Sequence, residues 1–249
     1  MKTVTIAALQ RSWSENTEEN VQRAEDWIRI ASAKGAHLIL LPELFESPYF
    51  CKEQRPVHFD RAHPVTNHPT LIRMQKLARE LAVVLPVSFF EKAGPVFFNS
   101  LAMIDADGEL LGLYRKSHIP DGPGYQEKFY FSPGDTGFRV WMTRYGCVGV
   151  GICWDQWFPE AARCMVLKGA EILLYPTAIG SEPLAPEWDS QAHWMRVMQG
   201  HAAANMVPVI AANRVGVETG EEYTLSFSGS SFIEGSMGEL LQTAPRDEE

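Results

Sequence analysis

The sequence predicts an α/β fold in which two sheets pack face to face and helices cover their outer sides. Apolar strand-like runs alternate with amphipathic helical segments along most of the 249 residues. The run LILL at 38–41 and the residues ILLY that follow Glu171 in EILLY at 171–175 are apolar, as in sheets that are covered on both faces. Residues 33–44 and 167–178 share the order helix end, glycine, buried strand and proline, which suggests two similar half-domains.

The first half of the chain contains two predicted helices. Asn16 is followed three positions later by Glu19, as in a capping box at the start of a helix. This pattern predicts a helix over 17–34. Pro69 stands where proline often begins a helix, and this second helix should extend to about residue 82. The expected strands of this half cover 4–9, 37–41, 83–89, 97–104 and 110–115.

The second half repeats the alternation, with helices expected at 159–168 and 189–205. Two long loops, 45–66 and 116–136, are rich in aromatic residues, which favours a functional role over disorder. The expected strands of this half cover 138–142, 147–152, 171–175, 208–212, 227–233 and 239–242.

Composition narrows the classes of function. The net charge of −9 argues against nucleic acid and anionic membranes as partners and is compatible with a cationic ligand. No apolar run reaches the roughly 18 residues of a membrane span, and the first residues form a strand pattern without a signal-peptide core. The length suits one large α/β domain, so we expect residues 1–249 to form a single domain.

The four cysteines favour a reducing compartment. Cys147 and Cys153 lie on one predicted strand about 20 Å apart, too far for a disulfide. No CxxC pair suggests zinc or a redox dithiol. We therefore expect a cytoplasmic protein.

Three chemically complementary residues follow predicted strands: Glu43 after LILLP, Lys116 after LLGLYR and Cys153 after VGVGI. In α/β folds, sites collect at the carboxyl ends of strands, so these side chains are expected to meet. A thiol needs a base, which Glu43 would supply, and Lys116 and the Trp154 N–H would stabilise an oxyanion. Each residue also has a purely structural interpretation: Glu43 as a cap of the following turn, Lys116 as a surface lysine and Cys153 as a buried thiol.

Four stretches of the chain stand out in this order: ILLPELFESPYF at 39–50, LGLYRKSHIP at 111–120, GVGICWDQWFPE at 149–160 and NRVG at 213–216. Together they resemble motifs of the nitrilase superfamily, the carbon–nitrogen hydrolases with a Glu-Lys-Cys triad. The resemblance implies an αββα sandwich of two mixed sheets, with Cys153 as nucleophile, Glu43 as general base and Lys116 beside the intermediate. Glu127 falls where many members carry a second glutamate that orients substrate and lysine.

Four overlapping or additional stretches narrow the resemblance: ESPYFCKEQ at 46–54, HIPDGPGYQEKFYFSPGDTGF at 118–138, ICWDQWFPEAAR at 152–163 and YPTAIGSEP at 175–183. Within that superfamily they most resemble the N-carbamoylputrescine amidohydrolases. This resemblance implies hydrolysis of a small cationic ureido substrate to putrescine, carbon dioxide and ammonia, without metal or organic cofactor. It also implies a homodimer or larger homo-oligomer, which we expect to form through 159–168 and 189–205, although the chain ends before the usual last strand and tail.

A cationic substrate amine should meet carboxylates or aromatic faces, which makes Tyr49, Asp155, Glu182 and Trp154 candidate binding residues. Asp155 has an alternative role as a helix cap. Other functions stay open: an amidase of the β-ureidopropionase, N-carbamoyl amino acid or ω-amidase type, or a non-catalytic binding relative. More distant alternatives are a zinc hydrolase using His58, His63 and His68, and a thiol protease with His118 as base.

Overall fold

The structure is a computed structural model that describes residues 3–249. Four α-helices lie in this range, and all four begin and end within about two residues of the segments expected from the sequence. Asn16 caps the first helix by accepting a hydrogen bond from the Glu19 N–H, as the capping pattern predicts. The helices are α1 (Thr17–Ala33), α2 (Pro69–Leu81), α3 (Pro159–Leu167) and α4 (Gln191–Asn205).

The first half of the chain builds a mixed sheet. β1 (Ile6–Ala8) and β2 (Leu38–Leu40) are parallel. β2 also pairs with the residues just before the next strand: the Ile39 N–H donates to the Val84 carbonyl, and the Val84 N–H donates to the His37 carbonyl. The following three strands form an antiparallel meander. These strands are β1 (Ile6–Ala8), β2 (Leu38–Leu40), β3 (Leu85–Ala93), β4 (Val96–Ile104) and β5 (Leu110–Arg115).

The second half builds a mixed sheet from six strands: β8 (Val140–Thr143), β9 (Gly146–Val150), β10 (Ile172–Pro176), β11 (Val209–Ala212), β14 (Phe232–Glu234) and β15 (Leu240–Thr243). Their order in the sheet is β15-β14-β11-β10-β9-β8. Strands β9, β10 and β11 are parallel, and β8, β14 and β15 are antiparallel to their neighbours. Two small hairpins lie outside the sheets: β6 (Asp121–Gly122) with β7 (Tyr125–Gln126), and β12 (Val215–Thr219) with β13 (Thr224–Ser228).

The two sheets pack face to face. In β2, Leu38 and Leu40 belong to the cluster that contains Val148 and Val150 of the opposite sheet. Ile39 points the other way, into the cluster formed with α1 and α2. Because α3 and α4 cover the second sheet in the same manner, the expected αββα sandwich is confirmed.

One expected strand, 227–233, is wrong. β13 ends at Ser228 and β14 begins at Phe232, because Gly229 and Ser230 have φ angles of 52° and 55°. Left-handed backbone cannot continue a strand, so the chain turns from the hairpin into the large sheet. The β12–β13 hairpin itself was not expected from the sequence.

The two similar segments identified in the sequence meet at the strand ends. The N–H of Glu43, after β2, donates to the carbonyl of Thr177, after β10, at 3.3 Å. This contact brings the carboxyl ends of the two sheets together. In residues 3–249, no helix is long and apolar enough to cross a bilayer.

Candidate active site

Glu43 lies at the end of β2, and its side chain is fully buried. Its Oε1 accepts hydrogen bonds from Asn99 Nδ2 at 2.7 Å and from Lys116 Nζ at 2.8 Å. Its Oε2 is buried and has no hydrogen-bond partner among residues 3–249. One carboxylate oxygen is thus fixed in place while the other is free to accept a proton.

Lys116 directly follows β5 and is also fully buried. Besides Glu43, its ammonium contacts both oxygens of Glu127, at 2.9 and 2.7 Å. Burial alone would lower the pKa of Lys116, but the charges of Glu127 and Glu43 raise it well above its ordinary value. Lys116 is therefore a fixed cation between two carboxylates.

Glu127 begins a short 3-10 helix, Glu127–Phe129, after the β6–β7 hairpin. Burial raises the pKa of Glu127 to about 7, against the opposing effect of Lys116. The hydroxyl of Tyr49 donates to Glu127 Oε1 at 2.7 Å. Tyr49 thus holds Glu127 in place and does not line the cavity that opens beside Cys153.

Cys153 occupies a strained turn. β9 ends at Val150, and Cys153 opens the 3-10 helix Cys153–Trp157 with a φ of 45°, unusual for a residue with a side chain. Gly151 permits the close turn, because a Cβ there would lie 2.7 Å from a ring carbon of Tyr175. The N–H of Trp154 makes no hydrogen bond within residues 3–249, so it can donate to an oxyanion.

The environment of Cys153 keeps the thiol protonated at rest. Burial, together with the negative charge of Glu43, raises its pKa well above the ordinary value. The Ala178 N–H and the charge of Lys116 act in the opposite direction. A thiol in this state reacts only if a base takes its proton, and Glu43, whose charge acts on Cys153, is the candidate base.

Asp155 lies away from the cavity and acts as a cap. Its Oδ1 accepts from the His118 N–H at 3.0 Å and lies 2.7 Å from His118 Nδ1. Its Oδ2 accepts from the Tyr114 hydroxyl at 2.7 Å and from the Ile152 N–H at 2.9 Å. The sequence left two roles open for Asp155, substrate binding and capping, and the geometry matches the cap. Its hydrogen bonds also connect the segment around Lys116 with the turn that contains Cys153.

We expect Asp155→Asn to lower both stability and turnover. An amide cannot accept all the hydrogen bonds that the two carboxylate oxygens accept, and each unsatisfied buried donor costs about 1–3 kcal/mol. Chemical denaturation should show that loss, and kcat should fall more than KM rises because the cavity wall is unchanged. A variant with wild-type kcat would show that the hydrogen bonds of Asp155 do not position Cys153.

Arg214 is a site residue that the sequence alone did not assign. Its fully buried guanidinium donates to the carbonyls of Glu43 at 2.8 Å and Leu44 at 3.1 Å. It also pairs with Glu218 at 2.8 Å. Arg214 lies in the NRVG stretch, but only the fold shows that it holds the turn at Glu43.

We expect Arg214→Met to leave buried Glu218 with only the more distant Lys52, at 3.9 Å, and to release the turn at Glu43. Breaking a buried pair in this way costs about 3–5 kcal/mol. Thermal unfolding should shift downward, and kcat should fall together with the stability. Unchanged unfolding would contradict the structural role of Arg214.

A cavity of about 220 Å³ opens beside Cys153. Two carboxylates that lie outside the buried triad, Asp121 and Glu182, belong to its wall, and burial raises the pKa of Glu182. Asp121 was not identified from the sequence, because a PDG turn gives no sign of facing a cavity. The wall also contains Glu127, Trp154, Trp157 and Tyr125.

The histidines of the alternative mechanisms are not placed at this cavity. His118 is bound to Asp155 and stacks on Phe158, with 3.5 Å between ring centroids. Across residues 3–249, no group of three or more His, Cys, Asp or Glu side chains is arranged to hold a metal ion. The zinc alternative at His58, His63 and His68 therefore has no geometric support.

Comparison with known proteins agrees with this geometry. The carbon-nitrogen hydrolase family model matches residues 4–249. The chain belongs to the carbon-nitrogen hydrolase family. This hydrolase is 61% identical over 245 residues to N-carbamoylputrescine amidase of Oryza sativa subsp. japonica, with 97% of this chain and 81% of the relative covered.

Two further relatives widen the comparison. The hydrolase is 55% identical over 246 residues to the citrullinase of Francisella tularensis, with coverage of 99% and 86%. The crystal structure of a carbon-nitrogen hydrolase from Helicobacter pylori G27 superimposes with a TM-score of 0.91 at 39% identity, with coverage of 99% and 87%. The family and the enzyme class expected from the sequence are confirmed: the protein is a cysteine-dependent amidohydrolase.

Proposed function

We propose that this hydrolase cleaves the ureido C–N bond of N-carbamoylputrescine, giving putrescine, carbon dioxide and ammonia. The choice of this substrate rests on the charge of the cavity beside Cys153. Its wall contains the carboxylates of Asp121 and Glu182, and no lysine or arginine among the described residues lines it. Such a cavity favours a substrate whose far end is a cation.

The first half of the reaction forms a covalent intermediate. Glu43 takes the proton of Cys153 as the sulfur attacks the ureido carbon. Lys116 and the Trp154 N–H stabilise the oxyanion of the tetrahedral intermediate. Glu43 then returns the proton to the terminal nitrogen, ammonia leaves, and the alkylcarbamoyl group remains on sulfur as a thioester.

The second half regenerates the thiol. Glu43 accepts a proton from a water molecule as that water attacks the same carbon, and it then passes the proton to the sulfur as the C–S bond breaks. The product is an alkylcarbamic acid, which loses carbon dioxide to release the amine. Glu127 contributes indirectly, because its two contacts with Lys116 keep the ammonium oriented in both halves.

The distal ammonium of the substrate is expected to lie between Glu182 and Asp121, with the indole of Trp154 beside the alkyl chain. Trp154 is 38% exposed and faces the cavity, so it can cover the chain or contact the cation. Tyr49 and Asp155 have no direct contact with the substrate in this proposal.

The citrullinase relative raises citrulline as a second candidate, since citrulline carries the same ureido group. Its far end, however, bears a carboxylate as well as an ammonium. A carboxylate would approach Asp121 and Glu182 without a cation to meet it, which disfavours binding. We therefore expect N-carbamoylputrescine to be the better substrate.

The test compares kcat/KM for N-carbamoylputrescine, citrulline and β-ureidopropionate, with Glu182→Gln and Asp121→Asn as matched variants. We expect the cationic substrate to be preferred, and Glu182→Gln to reduce its kcat/KM about 10- to 100-fold, mainly through KM, as for a lost charge-assisted contact. Equal rates for the three substrates, or no effect of either variant, would contradict the assignment.

Three broader expectations accompany this function: one domain over residues 1–249, a cytoplasmic location, and a homodimer or larger assembly through α3 and α4. Leu167 and Met206, at the ends of these helices, are 72% and 73% exposed, and burying them would favour association. Light scattering at micromolar concentration should show at least a dimer. A monomer would contradict the assembly.

A further inference from the structure

A second cavity, of about 310 Å³, lies on the other side of the turn that carries Glu43. It is bordered by Leu44 and Ser47 of that turn and by the first residues of α1 and α2. The aromatic rings of Phe50 and Phe90 line it. Its walls share no residue with the cavity at Cys153.

His68 gives this cavity an unsatisfied polar group. Its side chain is 1% exposed, and neither ring nitrogen has a hydrogen-bond partner among residues 3–249. Burial lowers the pKa of His68 to about 3, so the ring is neutral and presents one N–H and one lone pair. Leaving both nitrogens unpaired is costly, which indicates that a ligand or water meets them.

Glu46 adds a carboxylate to the same wall, where Thr70 is its hydrogen-bond partner. Its Oε2 lies 3.7 Å from His68 Nε2, beyond hydrogen-bond distance, and its side chain is 14% exposed. Arg61 lies in the same wall, where its charge lowers the pKa of Glu46, and it pairs with Glu15 at 3.3 Å. A further carboxylate, Asp60, lines the wall. The cavity thus offers hydrogen-bond acceptors, negative charge and apolar walls.

We propose that this cavity binds a primary alkylammonium ion. The ammonium would donate to the Glu46 carboxylate and to the lone pair of His68, and its alkyl chain would pack against Phe50 and Phe90. A simple anion is disfavoured because Glu46 and Asp60 would repel it.

Occupancy would bear on the catalytic turn. Leu44, which borders the cavity, directly follows Glu43 and has a left-handed φ of 49°, and its N–H donates to Ser88 Oγ at 3.0 Å. The amine that the proposed reaction releases belongs to the class that would bind here. Feedback by that product rests on the proposed function, whereas binding of an alkylammonium does not.

The test uses n-butylamine hydrochloride in isothermal titration calorimetry. The protein carries Asp121→Asn and Glu182→Gln, which remove the two carboxylates of the cavity beside Cys153 that are not bound to Lys116. We expect one remaining site, and adding Glu46→Gln should weaken it at least tenfold. His68→Phe, which keeps the volume of the ring, should have the same effect if Glu46→Gln does not fold. Unchanged affinity in the folded variants would overturn the proposal.

The pH dependence of the affinity provides a second readout. Burial raises the pKa of Glu46 to about 7, and the other titratable or charged groups of the wall are Asp60, Arg61, His63 and His68. The amine stays protonated from pH 6 to 8, so affinity should rise as Glu46 ionises. Affinity that does not rise over this range would also overturn the proposal. Failure of the proposed function would appear in the substrate assay and leave these titrations unchanged.

Discussion

Replacing Cys153 by alanine should reduce kcat for ureido hydrolysis by a factor on the order of 10⁴ to 10⁶, as for other nucleophile deletions. The thiol forms the bond on which both half-reactions depend, so its removal abolishes the covalent intermediate. The rate of ammonia release at saturating substrate measures the effect.

Cys164→Ala is the matched control, because Cys164 is an exposed free cysteine on α3. It should retain wild-type kcat and unfold at the wild-type temperature. Cys153→Ala should also remain folded, since a single small side chain is removed. Hydrolysis by Cys153→Ala at a wild-type rate would rule out the thiol mechanism.

Replacing Lys116 by methionine should have the largest effect on stability. It leaves the carboxylates of Glu43 and Glu127 buried without their shared cation, and losing one partner of a buried pair costs about 3–5 kcal/mol. Turnover should also fall by at least about a hundredfold, because a donor to the oxyanion is lost. Urea denaturation gives the free energy of unfolding, and steady-state assays give kcat.

A second substitution shows whether the unpaired charges cause the loss of stability in Lys116→Met. In Lys116→Met with Glu127→Gln, one of the two unpaired carboxylates is neutral, so part of the stability should return while kcat stays low. Glu127→Gln alone, which keeps the Lys116–Glu43 contact, serves as the reference for a double-mutant cycle. If Lys116→Met unfolds like the wild type, the buried charge cluster does not stabilise the fold.

The sequence could place the three reactive residues because their positions depend on regular elements. Glu43, Lys116 and Cys153 follow apolar strands, and strand direction fixes which edge of the sheet they share. The structure brings Glu43 and Lys116 into direct contact, and the charge of Glu43 influences the pKa of Cys153. Their catalytic roles remain predictions that the variants above test.

The residues that support the site could not be found in the same way. Arg214 reaches the turn at Glu43 across 171 positions of sequence, and Asn99 reaches it across 56. Contacts of this kind depend on how the two sheets pack, which no local pattern records. Tyr49 was expected to meet substrate, but the fold turns its hydroxyl toward Glu127.

Loop geometry was the least predictable part of the chain. Asp121 gains its place in the cavity wall from the β6–β7 hairpin, two residues long on each side. The break after β13 depends on left-handed backbone at Ser230, a residue type that gives little warning of that conformation. Such features depend on tertiary contacts more than on local propensity.

The most direct test of the central claim is the mass of the enzyme during a single turnover. Wild-type protein is mixed with N-carbamoylputrescine, quenched with acid at successive times, and analysed as intact protein and as peptides. The account predicts a transient adduct on the Cys153 peptide with the mass of the substrate minus ammonia. An adduct on another residue, or product that forms while every sample contains only unmodified protein, would contradict it.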